Sequence, residues 1–127
     1  MNCAVKSFTS LHAWRKAHEL SLWIYRATQT YPRYEQYGLA DQLRRASVSI
    51  TSNIAEGFGR RSPADKAYRY GLALGSLYEV QNQLLISRDV GFLDRTTFLE
   101  IASLTKDVSR LINRLISSMI SLRDRDP

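Results

Sequence analysis

The chain is poor in the residues that most catalytic, disulfide-bonded or membrane-anchored proteins depend on. One cysteine, Cys3, in 127 residues excludes an internal disulfide framework and a multi-cysteine zinc site, and nothing beside it marks an activated thiol. No apolar run approaches the roughly 18 residues of a membrane span. The opening "MNCAVKSFTSLHAWRKAHE" lacks the uninterrupted apolar centre of a secretion signal, so the expectation is a cytoplasmic protein without a membrane partner. The two histidines, His12 and His18, have no glutamate three positions before either, which excludes the Glu-x-x-His pattern of a dinuclear metal bundle. Neither is placed by the sequence as a base for a serine nucleophile. "GFGR" carries a Gly-x-Gly with no preceding strand and no Gly-Lys-Ser or Gly-Lys-Thr, a helix end rather than a nucleotide loop. The expectation is a non-enzymatic protein with no catalytic residue, no metal and no cofactor.

What is present is apolar and basic. A hydrophobic fraction of 44% is enough for a real core, and with no repeat or low-complexity segment, residues 1–127 read as one domain, 1–10 being a short N-terminal extension. Eighteen Lys and Arg stand against twelve Asp and Glu, net +6, and 14 of the 18 cations are arginine. Arginine's planar donor fork suits phosphates, carboxylates and aromatic faces, so the bias favours anion contacts. Residues 1–62 hold nine cations and four acids, residues 63–127 nine and eight, which assigns the field to the first half and makes an acidic polymer the expected partner. Ordinary solvated helix faces are the alternative source of the imbalance.

Four helical segments follow from periodicity, with no convincing strand. The first runs from about Leu11 to Thr30, with Ala13, Ala17, Leu20, Ile24, Ala27 and Tyr31 on one stripe. Pro32 and Gly38 bound the loop after it. The second ends near Gly57 and Gly59, where a left-handed glycine cap is expected. The third starts at "SPAD", with Ser62 as cap, Pro63 at the first position and Asp65 on the positive dipole end, and continues through Tyr68, Leu72, Gly75 and Leu84 until Gly91 breaks it. The fourth opens at Asp94 and carries Phe98, Ile101, Leu104, Val108, Leu111, Leu115, Met119 and Leu122 on a coiled-coil-like seam. Short loops between such helices make an all-α, antiparallel up-down-up-down four-helix bundle. Leu11, Trp14, Leu22, Tyr25 and Trp23 extend the apolar surface of the first helix beyond its stripe, which points to a neighbouring subunit or to aromatics wrapped around the bundle edge.

The second helix is odd. In "QLRRASVSITSNIAEGFGRRS", Leu43, Ala46, Ile50, Ile54 and Gly57 keep helical spacing, yet Ser47, Ser49, Thr51, Ser52 and Asn53 between them compete for backbone hydrogen bonds. Small side chains at Ala46, Ser47, Ser49, Ser52, Ala55 and Gly57 allow close helix approach, so packing holds this helix. Arg45, Ser49, Ser52 and Glu56, with Asn53 at the border, form a polar stripe that is either a paired, partly buried network or a wet face.

"YEQYGLADQLRRASVSITSNIAEGFGRRS" and "LALGSLYEVQNQLLISRDVGFL" resemble the four-helix-bundle family of proteins encoded in intervening sequences of bacterial 23S ribosomal RNA genes, the S23-type family. The resemblance runs from "AWRKAHEL" to the fourth helix and places family motif positions at Glu35, Gly38, Leu39, Gln42, Leu43, Arg44, Arg45, Ser52, Asn53, Ile54, Ala55, Glu56, Gly57, Gly75, Ser76 and Glu79. Of these, Gln42, Ser52, Asn53, Glu56, Gly57, Gly75, Ser76 and Glu79 are the expected structural or polar motif residues. Where many relatives place proline before Ser-Asn-Ile-Ala-Glu-Gly, this chain has Thr51, which puts a proline kink in doubt. The resemblance implies no established catalytic activity. Through similarity to the accessory protein of diversity-generating retroelements, it also implies a ring of five subunits with a basic surface for structured RNA or DNA and a reverse transcriptase partner.

Two functions stay open. In one, Arg15, Lys16, Arg26, Arg44, Arg45, Arg60 and Arg61 contact the phosphates of RNA or DNA. In the other, the chain is a protein-interaction scaffold recruiting a partner such as a reverse transcriptase, and the charge is background.

Overall fold

A computed structural model describes residues 7–125; Cys3 and the first six residues of the N-terminal extension lie outside them. The helices are α1 (His12–Thr28), α2 (Leu39–Phe58), α3 (Pro63–Asp89) and α4 (Arg95–Arg125), with 3-10 turns at Phe8–Ser10 and Arg33–Glu35. Each helix packs on two neighbours, in the cycle α1–α2–α3–α4, as an antiparallel bundle with short connections requires. The described part of the extension is docked, because Phe8 meets Trp14 edge-on with ring centroids 5.4 Å apart.

The predicted stripes of α1 and α2 are the core, and that of α4 joins it as far as Met119, beyond which Leu122 is exposed. Ala13, Ala17, Leu20, Ile24, Leu43, Ala46, Ile50, Ile54, Ile101, Leu104 and Val108 are buried, joined by Ile112 and by Tyr31 just beyond the end of α1. Of the stripe predicted for α3 only Leu84 is buried; Tyr68, Leu72 and Gly75 face outward, and Tyr70, Ala73, Leu77 and Val80 take the core positions. Apolar residues occupy both faces of α3, Tyr78, Leu85 and Ile86 also being exposed, so spacing alone could not choose the inward one.

Local chemistry sets the ends. Ser62 Oγ accepts the Asp65 amide at 3.0 Å with Pro63 in the first turn of α3, as predicted. The left-handed glycine cap is not on α2: Gly57 is helical, Gly59 has φ −78°, and among the described residues only Gly91, at φ +88°, is left-handed. There the amide of Phe92 donates to Ser87 O at 2.8 Å and that of Gly91 to Arg88 O at 3.1 Å, closing the last turn of α3. At the C-terminus of α2 the last carbonyls are met instead by a side chain, Lys66 Nζ donating to Phe58 O at 2.6 Å and Gly57 O at 3.3 Å. Helix α2 runs through Thr51 without interruption, its hydroxyl donating to Val48 O at 2.9 Å.

Small residues do draw the helices together, through fewer positions than expected. Ser47 shares a 2.8 Å hydrogen bond with Ser21 of α1, and Ser49 shares one of 2.8 Å with Ser76 of α3. Gly57 lies so close to Tyr70 that a Cβ there would be 2.6 Å from the ring. Ser52 is exposed and takes no part.

Candidate nucleic-acid interface

The Ser21–Ser47 and Ser49–Ser76 hydrogen bonds mark one level across the bundle. On the side of the α2–α3 turn lie ten cations (Arg15, Lys16, Arg60, Arg61, Lys66, Arg69, Arg110, Arg114, Arg123 and Arg125) against five acids (Glu19, Glu56, Asp65, Asp107 and Asp124). On the other side, seven cations face six acids, close to balance. The excess positive charge of the described residues is therefore concentrated at one end. It comes from the start of α1, the α2–α3 turn with its flanks, and the second half of α4, so the fold divides charge differently from the two halves of the sequence.

The seven cations singled out from the sequence divide between the two ends. Arg60 and Arg61 are exposed in the α2–α3 turn, their side chains without a hydrogen bond or ion pair among the described residues. Arg15 is at the same end but holds the N-terminal turn, Nε donating to Thr9 O at 3.0 Å and Nη2 to Ser10 O at 3.2 Å. Lys16 is half-buried, 3.6 Å from Glu19. Arg26, Arg44 and Arg45 lie at the balanced end. Arg26 is exposed; Arg45, with its side chain 79% exposed, pairs with Asp41 at 2.8 Å rather than with Glu56. Arg44 is an internal strut. Its Nε donates to Thr28 Oγ1 at 2.9 Å and its Nη2 to Gln36 Oε1 at 3.1 Å, while Gln36 Nε2 donates to the carbonyls of Thr28 and Tyr31, both at 3.0 Å. These bonds tie α2 to the end of α1 and order the connection between them.

The motif residues form no single buried network. Glu56 is exposed and pairs with Arg69 at 3.0 Å, and Asn53 Nδ2 donates to Ser49 O at 2.9 Å beside the Ser49–Ser76 bond. Gln42 and Glu79 are exposed and converge on Gln83, a buried residue that the motif does not include: its Nε2 donates to Glu79 Oε2 at 3.3 Å and reaches Gln42 Oε1 at 3.5 Å. Gly75 has open space where a side chain would be.

Sequence reasoning missed Arg110 and Arg114, because their nearness to His12 and Lys16 arises only when α4 folds back along α1. His12, Lys16, Asp107, Arg110, Leu111 and Arg114 line a cleft of about 360 Å³. Asp107 is ion-paired with Arg110. A second concavity of about 590 Å³ on the other side of the arginine pair is lined by Asn113, Ser117 and Ser118. Farther along the same helix pair the character reverses, and Glu19, Glu100 and Asp107 share a groove with Lys16 and Trp23. Among the described residues no helix is long and apolar enough to cross a membrane.

Comparison with known proteins supports the resemblance read from the motif. The family model described as 23S rRNA-intervening sequence protein matches residues 9–114. A crystal structure of a protein of unknown function from the S23 ribosomal protein family of Bacteroides thetaiotaomicron superposes with a TM-score of 0.74 at 20% identity, covering 82% of this chain and 97% of that one, a likeness of fold. A comparison with curated proteins gives no match.

Proposed function

The chain belongs to the 23S rRNA-intervening sequence protein family, and from that premise we propose that it is a non-enzymatic cytoplasmic protein that binds structured RNA or DNA through the arginine-rich end of its bundle. The concentration of excess charge at one end carries this reading. A polyanion approaching that end meets ten cations and five acids, and arginine predominates among the cations, the side chain suited to phosphate oxygens. Arg60 and Arg61 are the sequence-identified residues best placed to make such contacts. Arg44, committed to the α1–α2 connection, is left out.

The apolar surplus of α1 supports self-association. Leu22 is 42% and Tyr25 45% exposed on the outer face of that helix, and Trp14 and Trp23 are half-buried. The family resemblance favours five copies, for which light scattering gives a mass several times 14.6 kDa; a monomer at micromolar concentration overturns the oligomer.

The test is binding of an unrelated structured RNA across a salt series. Affinity falls linearly in log–log form, by about 0.7 to 0.9 per phosphate neutralised. Arg60→Glu with Arg61→Glu weakens binding about tenfold and flattens the slope, whereas Arg45→Glu at the balanced end changes neither. If neither variant changes affinity or slope, the scaffold reading moves ahead. The exposed Tyr68, Leu72 and Tyr78 on α3 favour it as the second reading.

A further inference from the structure

We infer that the cleft between the start of α1 and the middle of α4 seats the sugar–phosphate backbone of a polynucleotide, held by Arg110 and Arg114 on one wall and His12 and Lys16 on the other. This rests on the nucleic-acid reading and gives it a location. Each wall carries its two side chains one helical turn apart, about 6 Å along the axis, and antiparallel packing brings both pairs into one concavity. Only one carboxylate, Asp107, lies among them, and it is engaged by Arg110. The side chains of Arg114 and His12 have no hydrogen-bond or ion-pair partner among the described residues, and Lys16 is ion-paired only with Glu19, a long, partly exposed pair at 3.6 Å that a phosphate oxygen can replace.

Three neighbouring features point to the same ligand. The first turn of α1 contains no acidic residue and its N-cap, Leu11, offers no side-chain bond, so the positive end of the helix dipole adds to the cationic wall. Ser117 and Ser118, on the far side of the arginine ridge, supply neutral hydroxyls for sugar and phosphate oxygens, beside Asn113, whose Nδ2 already donates to Ser109 O at 3.0 Å. Glu19 and Glu100 guard the groove beyond Asp107, which repels a polyanion from the upper part of the α1–α4 seam and directs it toward the basic end. No phenylalanine, tyrosine or tryptophan lines the cleft, the His12 imidazole being its one ring, so the contacts are mainly to backbone and binding tolerates sequence, shape setting the preference.

Fluorescence anisotropy with a labelled RNA hairpin of unrelated sequence, across a potassium chloride series, tests the assignment. Arg110→Gln with Arg114→Gln lowers affinity about tenfold and the log–log slope by about 1.4 to 1.8, the loss of two phosphate contacts. His12→Gln with Lys16→Gln, altering the opposite wall, lowers both in the same direction. Arg110→Lys with Arg114→Lys, which keeps the charge, retains most of the slope and guards against a folding defect, with far-ultraviolet circular dichroism unchanged throughout. If the two glutamine pairs bind with unaltered affinity and slope while Arg60→Glu with Arg61→Glu binds weakly, the cleft is overturned and the nucleic-acid reading stands. Binding of inorganic phosphate by the unmodified chain that is lost in the two glutamine pairs, while their hairpin affinity and slope are unaltered, overturns the backbone assignment in favour of a small-anion site. Absence of salt-sensitive binding by the unmodified chain overturns cleft and reading together.

Discussion

A methyl group added at Gly57 would stand 2.6 Å from Cε1 and 2.8 Å from Cδ1 of the buried Tyr70 ring, and 3.2 Å from Cβ of Arg69. Alanine is the better helix former by about 1 kcal/mol, yet overpacking a filled contact costs about 1 to 3 kcal/mol. Gly57→Ala is therefore expected to lower stability on balance, read as a fall in the denaturation midpoint. Gly75→Ala, in the middle of α3 with nothing near the new methyl, raises it by about 0.5 to 1 kcal/mol. A fall for Gly75→Ala would show that another chain covers this face. The sequence identifies both glycines, but not which one touches a ring. The same limit applies to the neighbouring Arg44 and Arg45: adjacent helical residues point about 100° apart, so one is a half-buried strut and the other an exposed cation. Arg44→Ala strands Thr28 and Gln36 and costs about 1.5 to 3 kcal/mol by chemical denaturation, whereas Arg45→Ala shifts the midpoint little, its pair with Asp41 being exposed.

Among the elements, α4 was the most legible, because most of its apolar residues from Phe98 to Met119 fall on one face, Leu99 being the exposed exception, and α3 the least, because its two faces compete. Caps were readable where a side chain makes them and unreadable where tertiary structure does: "SPAD" announced the start of α3, but nothing local shows that Lys66 closes α2. Asp94 opens α4 by accepting the Thr97 amide hydrogen on Oδ1 at 2.8 Å, and that bond, above all, holds its carboxyl below the ordinary aspartate range. A carboxyl depressed in the folded state contributes stability that is present above the unfolded pKa and lost as pH falls through the folded one. Asp94→Ala is thus expected to lower the melting temperature at neutral pH, with the gap to the parent closing on acidification through that range. Asp94→Asn, still able to cap, loses less and shows a flatter pH dependence. A gap that stays constant from neutral to acid pH would assign the cap to the backbone alone.

The whole-molecule property hardest to extract from the sequence is where the charge lies. Composition establishes net +6 and the arginine excess, but the linear division counted α4 with the balanced half. Folding returns Arg110, Arg114, Arg123 and Arg125 to the level of the α2–α3 turn. Copies arranged side by side in a closed ring, axes parallel, bring every basic end to one rim, where like charges repel across a Debye length of about 8 Å at physiological salt. A polyanion laid along that rim removes the repulsion. Ring closure and RNA capture are then thermodynamically coupled, each strengthening the other by the same factor. Sedimentation of the free protein is expected to show smaller assemblies as salt is lowered, with full size restored by a structured RNA. Assemblies indifferent to both would mean that successive copies alternate in direction and cancel their charge. In the proposed parallel ring the protein would gather most completely where the proposed ligand already is, the end-loaded charge acting as a brake on assembly that a bound polyanion releases.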